Sequence, residues 1–179
     1  MDEKKIVQLC LKGKNEAYEM LVKKYQSNVL SIAYAITSNM EDARDIAQES
    51  FIKAYKKLDG FSQESSFKNW ILSITYNTGI DLLRKRKTIL NFIKKSKKED
   101  MDPQYEKYNT VEGSEIFSPA LKKLKPRERA ALLLQIDLNY KTKEIGKILN
   151  CNESTVRVHI FNAKKKLKKI LSVTERSIK

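Results

Sequence analysis

Residues 42–58 read DARDIAQESFIKAYKKL, and this stretch decides the fold class of the chain. Apolar residues recur in it at intervals of three and four, which places them on one face of an α-helix: Ala43, Ala47, Phe51, Ala54 and Leu58. The other face carries five mostly polar or acidic residues: Asp42, Asp45, Gln48, Glu49 and Ile52. Such a face is either simply solvated or binds a partner, and its acids also complement the positive end of the helix dipole.

The same periodicity extends over most of the chain and predicts an all-α protein. Only five glycines and three prolines occur among 179 residues, and alternation of apolar and polar residues with a period of two is absent. The predicted helices of the first half cover residues 4–11, begin at a cap on Asn15, run from Asn39 or Glu41 to Leu58, and resume after a cap on Ser66.

A polar loop anchored by an aromatic residue follows the third predicted helix: Phe61-Ser62-Gln63-Glu64-Ser65-Ser66. The helix after it carries Lys68, Tyr76 and Asn77 and ends in the basic run Arg84-Lys85-Arg86-Lys87. Aromatic, amide and basic residues in this combination are typical of surfaces that bind single-stranded nucleic acid, because aromatic rings stack on bases and cations contact phosphates. Tyr76 and Asn77 are therefore candidates for stacking on a base or hydrogen bonding to it.

The overall charge points to a polyanionic partner. Lys and Arg outnumber Asp and Glu by 36 to 22, which gives a formal net charge of +14 and indicates a nucleic acid or an anionic membrane surface. No stretch approaches the 18 or so apolar residues of a membrane span, so we expect a soluble, cytoplasmic protein. Cys10 and Cys151 lie far apart, and Cys151 with the single histidine, His159, lacks further ligands nearby. We therefore expect neither a disulfide framework nor a metal site, and no cofactor.

Charge and composition change twice in the middle of the chain. Residues 84–98 contain eight basic residues and no acid, whereas residues 99–115 contain six acids and one lysine. The second segment also holds Pro103 and Gly113 and lacks a sustained apolar period, which is typical of a flexible tether. The chain thus divides into a domain over 1–88, a linker over 89–116 and a domain over 117–179. The acidic tether is either an ordinary solvated linker or a segment that occupies a basic channel.

The C-terminal domain has clear helix signals. One predicted helix starts at Ser118-Pro119 and runs through Leu124, and another starts at Lys125-Pro126 and runs to about Asp137. A short third helix is capped by Thr142. A turn at Asn150-Cys151-Asn152 then precedes a last helix over residues 153–171. In the last helix the predicted buried side is Val156, Ile160, Ala163, Leu167 and Ile170, and the opposite side is Arg157, Val158, Phe161, Asn162, Lys165 and Lys168. This pattern predicts a helix-turn-helix. The alternative is a basic amphipathic helix packed in a helical hairpin.

Two parts of the chain resemble conserved regions of bacterial RNA polymerase sigma factors. The stretch Asp42-Ala43-Arg44-Asp45-Ile46-Ala47-Gln48-Glu49-Ser50-Phe51, with Phe67-Lys68-Asn69-Trp70-Ile71 and Ile74-Thr75-Tyr76-Asn77, resembles region 2. Tyr140-Lys141-Thr142-Lys143-Glu144-Ile145-Gly146, with Ser154-Thr155-Val156-Arg157, resembles region 4. The order, the short length and the lack of a region 3 resemble the extracytoplasmic-function group of the sigma-70 family. Ser154, Val158 and Asn162 depart from residues common in that family, which leaves the base preference open.

The resemblance implies a role for each surface. Asp42, Asp45, Gln48, Glu49 and Ile52 would bind the clamp helices of the largest subunit of RNA polymerase core. Contacts to the minus-10 element would come from Phe61, Ser62, Gln63, Glu64, Ser65, Lys68, Tyr76 and Asn77, and from Arg84, Lys85, Arg86 and Lys87 on phosphates. Contacts to the minus-35 element would come from Lys143, Thr155, Arg157, Val158, Phe161, Asn162, Lys164 and Lys165. The resemblance also implies an anti-sigma factor, possibly membrane-bound, as a partner.

Two other classes of protein remain as alternatives. A stand-alone helix-turn-helix regulator would bind duplex operators without polymerase, but it would leave the acidic face and the loop of residues 61–66 unexplained. A nucleic-acid enzyme would require clustered metal-binding carboxylates, and Asp42 with Asp45 is the only tight pair in the segment considered. Because no catalytic triad, metal cluster or phosphate-binding glycine loop is evident, we expect no enzymatic activity.

Overall fold

The computed structural model describes residues 2–62, 65–96 and 119–177. Within these ranges the chain is helical and contains no strand, which confirms the all-α prediction. The α-helices are α1 (Glu3–Leu11), α2 (Asn15–Thr37), α3 (Met40–Lys56), α4 (Phe67–Ser96), α5 (Pro119–Lys122), α6 (Pro126–Ile136), α7 (Thr142–Ile148) and α8 (Glu153–Ser177), with a 3-10 turn at Leu58–Gly60. In the described ranges, no helix is both long and apolar enough to cross a membrane.

Of the predicted helix caps in the described residues, Ser66 is confirmed, whereas Asn15 and Thr142 are wrong; Asn39, near which the third helix was predicted to begin, is the cap of α3. The Asn39 side chain accepts a hydrogen bond from the Asp42 amide at 3.0 Å, and Ser66 Oγ accepts one from the Asn69 amide at 3.2 Å. Asn15 and Thr142 are instead the first residues of α2 and α7. Their side chains make tertiary bonds: Asn15 accepts from the Tyr55 hydroxyl at 2.8 Å, and Thr142 donates to a carboxylate oxygen of Glu153 at 2.7 Å.

Three predicted boundaries also differ from the structure. Helix α4 continues to Ser96, so residues 89–96, which the sequence assigned to the linker, are helical. Helix α5 ends at Lys122, before the predicted Leu124, and α8 continues past Leu171 to Ser177. No glycine or proline interrupts residues 80–96, so nothing in the sequence stops α4 after its basic run. The rest of the predicted linker, residues 97–116, lies outside the described residues, as do residues 117 and 118 of the predicted second domain.

Helices α1 to α4 form a bundle around α2. Helix α2 packs against α1, α3 and α4, and its Leu21, Val29 and Ile32 are fully buried. Phe67 and Ile71 of α4 close the core from the opposite side. The bundle places the polar face of α3 and the loop before α4 on the surface.

Helices α5 to α8 form a second, smaller unit, which contains the predicted helix-turn-helix. Helix α7 packs on α8 through buried Ile145, Ile148 and Val156. Between the two helices, Asn150 adopts a left-handed conformation with φ 49°, and the Cys151 amide donates to the Gly146 carbonyl at 2.9 Å. The close turn expected at residues 150–152 is therefore present.

The two units are packed against each other, which the sequence did not predict. Helix α6 contacts α2, α7 contacts α4, and buried residues of both units belong to one apolar cluster. Arg129 of α6 crosses the boundary: its Nε donates to the Ala35 carbonyl and its Nη2 donates to the Ile36 carbonyl at 3.0 Å. Both acceptors lie at the C-terminal end of α2, where helix carbonyls lack intrahelical partners and a cation is favoured.

Replacing Gly146 with alanine is expected to destabilise the helix-turn-helix. A Cβ at this position would lie 2.7 Å from the Cys151 carbonyl oxygen, a backbone atom that cannot move aside cheaply. Alanine normally favours a helix over glycine, so the clash reverses the usual sign, and we expect a loss of about 1 to 3 kcal/mol. Chemical denaturation of the variant and the wild type would measure this loss in the free energy of unfolding. Gly60→Ala is the control, because a Cβ there meets nothing within 4 Å, and an equal effect of both variants would contradict the close approach at Gly146.

Candidate nucleic-acid and protein interfaces

The polar face of α3 is exposed except at one end. Asp45, Gln48, Glu49 and Ile52 are exposed, and Ile52 retains 47% of its surface. Glu49 pairs with Lys53 at 2.8 Å across one turn of the helix. These residues share one exposed face, on which an apolar side chain lies on the same side of the helix as two acids, and such a face suits a basic protein partner.

Asp42 does not belong to the open part of this face, contrary to the sequence prediction. Its side chain is only 16% exposed, and both carboxylate oxygens accept hydrogen bonds at 2.6 Å from the guanidinium of Arg86 on α4. A bidentate pair of this kind is among the stronger charged contacts in proteins. Asp42 therefore holds α3 to α4, and Arg86 is bound to protein at the position where the sequence assigned it to phosphate.

The rest of the basic run faces solvent. Arg84 pairs with Asp81 at 2.9 Å on the same helix, and Lys85 and Lys87 are exposed. An exposed pair one turn apart contributes little to stability and separates easily. Arg84, Lys85 and Lys87 thus remain available for phosphate contacts, whereas Arg86 is not.

The loop before α4 is anchored by aromatic packing. The half-buried ring of Phe61 lies 4.8 Å from the Trp70 ring and 5.9 Å from the Phe67 ring, measured between centroids. Phe61 is thus mainly a structural anchor in this arrangement. Ser62 and Ser65 are exposed, and Gln63 and Glu64 lie outside the described residues.

A groove of about 260 Å³ lies beside this loop. Its walls come from the loop and from α1, and the residues that line it are Asp2, Glu3, Lys4, Val7, Phe61, Ser65 and Ser66. No role was predicted for α1 from the sequence. Glu3 is the first residue of this helix, whose amphipathic pattern is ordinary, and nothing local indicated that Glu3 would lie beside the loop.

Of the three candidate base-contacting residues on α4, only Asn77 is exposed. Tyr76 is 4% exposed, and burial raises the pKa of its hydroxyl; Arg127 and Cys151 of the second unit also influence that pKa. The ammonium of Lys68 lies 5.2 Å from the ring centroid of Tyr140, in a cation–π contact with the second unit. In this arrangement Lys68 is half-buried in contact with the second unit and Tyr76 is buried, which corrects their predicted availability to a strand.

The recognition side of α8 is exposed as the sequence predicted. Val158 and Phe161 present large apolar side chains to solvent, Phe161 with 65% of its surface. Arg157 is exposed and pairs with Glu153 at 2.7 Å one turn earlier. Lys143, Lys164 and Lys165 are exposed around this side, and Thr155 and Asn162 are half-buried. The helix therefore presents a mixed apolar and basic surface of the kind that enters a major groove.

The packing of the two units also brings together basic residues that are distant in sequence. A cleft of about 570 Å³ separates α4 from the α6 and α8 region, and its lining includes Arg84, Lys87, Lys125, Arg127 and His159. Burial and the nearby Arg127 lower the pKa of His159. No local pattern in the sequence joins residues 84–87 to residues 125–127, so this cleft was not predicted.

Two family models match this chain, one over each of its two units. The family described as Sigma-70 region 2 matches residues 21–89, and the family described as Sigma-70, region 4 matches residues 115–167. The chain is 31% identical to the RNA polymerase sigma factor YlaC of Bacillus subtilis (strain 168) over 160 residues, covering 86% of this chain and 91% of that protein. It is 28% identical to the ECF RNA polymerase sigma factor SigW of the same organism over 180 residues, covering 94% and 96%.

Two solved structures share the fold. CnrH, solved in complex with the cytosolic domain of CnrY, aligns with a TM-score of 0.67 and 20% identity over 96% of this chain and 97% of that one. The sigma factor RpoE from Bartonella quintana, solved with the anti-sigma factor NepR, aligns with a TM-score of 0.69 and 21% identity over 87% and 97%.

A region 2 bundle followed by a region 4 helix-turn-helix defines a transcription initiation factor of the sigma class. The chain belongs to the sigma-70 family, in its extracytoplasmic-function group.

Proposed function

We propose that this sigma factor directs RNA polymerase core to promoters by binding the minus-35 duplex with α8 and capturing the minus-10 strand with the loop before α4. The observation that carries the proposal is the presence of two separate exposed surfaces on one chain, the open side of α8 and the aromatic-anchored loop. The exposed part of the α3 face, around Asp45 and Glu49, would bind the clamp helices of the largest core subunit. Catalysis would belong to the polymerase, in the cytoplasm.

Strand capture follows from the cost of opening DNA. Unpairing and unstacking a base costs about a few kcal/mol, so an opening factor must bind the extruded strand better than duplex. The groove beside the loop is lined by the exposed Ser65 and Ser66, which offer hydrogen-bonding groups to an unstacked base. Arg84, Lys85 and Lys87 would contact the phosphates upstream of it.

Strand capture in this form requires the second unit to move. Lys68 contacts Tyr140 of the second unit, Tyr76 is buried, and α7 packs on α4, so both residues would become more accessible to a strand after α7 leaves α4. The packed arrangement would then be a state of the free protein, and the polymerase-bound factor would separate the two units along its linker. An anti-sigma factor, a partner class that occurs in the solved complex of RpoE, would hold this chain away from polymerase.

Run-off transcription with core polymerase on fragmented genomic DNA tests the proposal. We expect defined transcripts that require both core and this chain, and mapping their start sites would give the minus-35 and minus-10 sequences. The absence of any initiated transcript, together with tight binding to duplex sites without core, would favour a stand-alone regulator instead.

The Arg157→Ala variant tests how α8 recognises DNA. If the exposed guanidinium binds a base edge in the major groove, the variant should lose about 1 to 3 kcal/mol of discrimination between the mapped minus-35 duplex and a scrambled one. Loss of the exposed pair with Glu153 should leave stability unchanged within a few tenths of a kcal/mol. Lys165→Ala is the control and should weaken binding to both duplexes equally. An equal loss on both duplexes for Arg157→Ala would make Arg157 a phosphate contact.

A further inference from the structure

Glu3 on α1 connects three helices through one carboxylate. Its Oε1 accepts a hydrogen bond from the Phe67 amide at 2.9 Å, and its Oε2 accepts one from the Tyr25 hydroxyl. The ammonium of Lys24 lies 3.8 Å from Oε2, and the side chain of Glu3 is only 22% exposed. Helix α1 precedes residues 21–89, the part of the chain that matches the region 2 family, so these contacts are additional to that family's defining segment.

Phe67 is the residue at which the candidate strand-binding loop ends and α4 begins. The first amides of a helix have no intrahelical acceptor, so each needs another partner. Ser66 Oγ accepts a hydrogen bond from the Asn69 amide, and the Glu3 carboxylate, on a different helix, accepts one from the Phe67 amide. A negative charge at this end also complements the dipole of α4.

The loop is thereby held at both ends. At its start, the Phe61 amide donates to the Leu58 carbonyl at 3.0 Å and the Phe61 ring packs on Trp70. At its end, Glu3 binds the Phe67 amide. Glu3 also lines the groove beside the loop, so α1 supplies one wall of that groove.

We propose that Glu3 is a positioning residue for strand capture: by binding the Phe67 amide it fixes the end of the loop and one wall of the groove that receives an unstacked base. This inference rests on the proposed function of the loop. Glu3 acts through Phe67 and does not hold the DNA, because both of its oxygens are bound and its negative charge repels phosphate.

A role in stability alone makes a different prediction. If Glu3 only fastened α1 to the bundle, its loss would lower the melting temperature and weaken core binding and strand binding together. A positioning role predicts a selective loss of affinity for the strand and of discrimination between strand sequences. The affinity of α8 for duplex would not change in either case.

The experiment uses the full-length protein and two single-stranded decamers, one with the minus-10 sequence mapped by run-off transcription and one of dT only. Glu3→Ala is expected to bind the mapped strand about tenfold more weakly, as for a lost hydrogen bond to a charged group, while its affinity for dT changes little. Glu3→Gln keeps an oxygen acceptor for the Phe67 amide and should stay within about twofold of the wild type. Glu19→Ala removes an equal charge from an exposed position on α2 and is the control.

Two further variants decide the remaining cases. If Glu3→Ala does not fold, Glu3→Asp takes its place, because it keeps the charge but shortens the reach to Phe67, and it should show the same selective loss. Phe61→Ala tests the loop itself. If Phe61→Ala weakens strand binding and the Glu3 variants do not, the positioning role is overturned and the proposed function stands. If no loop variant affects strand binding, the proposed capture site is wrong and the inference about Glu3 falls with it.

Discussion

Replacing both Asp45 and Glu49 with lysine is expected to weaken binding to RNA polymerase core by about 10- to 100-fold. Both residues are exposed on the open part of the α3 face, beside the exposed apolar side chain of Ile52. If that face binds a basic surface on the clamp helices, the substitutions place like charges opposite each other, which costs several kcal/mol at an interface. A titration of core against the fluorescently labelled protein would measure the change.

The control for this prediction is a second double reversal with the same change in net charge. Glu16 and Glu19 are exposed on α2, outside the α3 face, and Glu16→Lys with Glu19→Lys should leave core affinity within about twofold. Both double variants should bind the minus-35 duplex at least as well as the wild type, because added positive charge favours DNA. Equal core affinity of the two double variants would show that the α3 face does not bind polymerase.

The amphipathic pattern was sufficient to predict α3 and its polar face, because both depend on residues three or four apart. The start of α3 was predicted near Asn39 or Glu41 from the same local pattern, and in the structure Asn39 caps the helix through an amide only three residues away. The error at Asp42 arose from a contact with Arg86, 44 residues further along the chain. A carboxylate on a polar face looks the same in sequence whether it faces solvent or binds a distant guanidinium.

At the candidate site too, features that depend on nearby residues were predicted from the sequence, whereas contacts between distant residues were not. The exposure of Val158 and Phe161 followed from helical spacing within α8, and the structure agrees. The burial of Tyr76 did not follow, because its surroundings are residues of the core that are distant in sequence. Glu3 was missed because its partners, Tyr25 and Phe67, belong to two other helices. Charge and periodicity describe one helix at a time, and these contacts join helices that are far apart in sequence.

Arg129→Met is expected to separate the two units of the free protein. The guanidinium is buried and makes two hydrogen bonds to carbonyls at the end of α2 and two, to Lys122 and Leu124, within its own unit. Burial lowers the pKa of Arg129 to about 10, so the group is still charged at neutral pH. Methionine fills similar space but leaves the buried carbonyls without a donor. We expect a loss of about 2 kcal/mol and a fall in melting temperature of about 5 °C, with a larger radius of gyration by X-ray scattering.

Separation of the units should also make Lys68 and Tyr76, two candidate strand-binding residues, more accessible. We therefore expect Arg129→Met to bind the mapped minus-10 strand a few-fold more tightly than the wild type. Arg44→Met is the matched control, because Arg44 is exposed on α3, does not line the cleft between the units, and loses the same charge. Tyr140→Ala is a second test, since it removes the contact with Lys68 and leaves the bonds of Arg129 in place. Retained affinity for the minus-35 duplex would show that the second unit is still folded. If Arg129→Met and Tyr140→Ala both increase the radius of gyration without improving strand binding, Lys68 and Tyr76 do not contact the strand, and the capture surface is limited to the loop and Asn77.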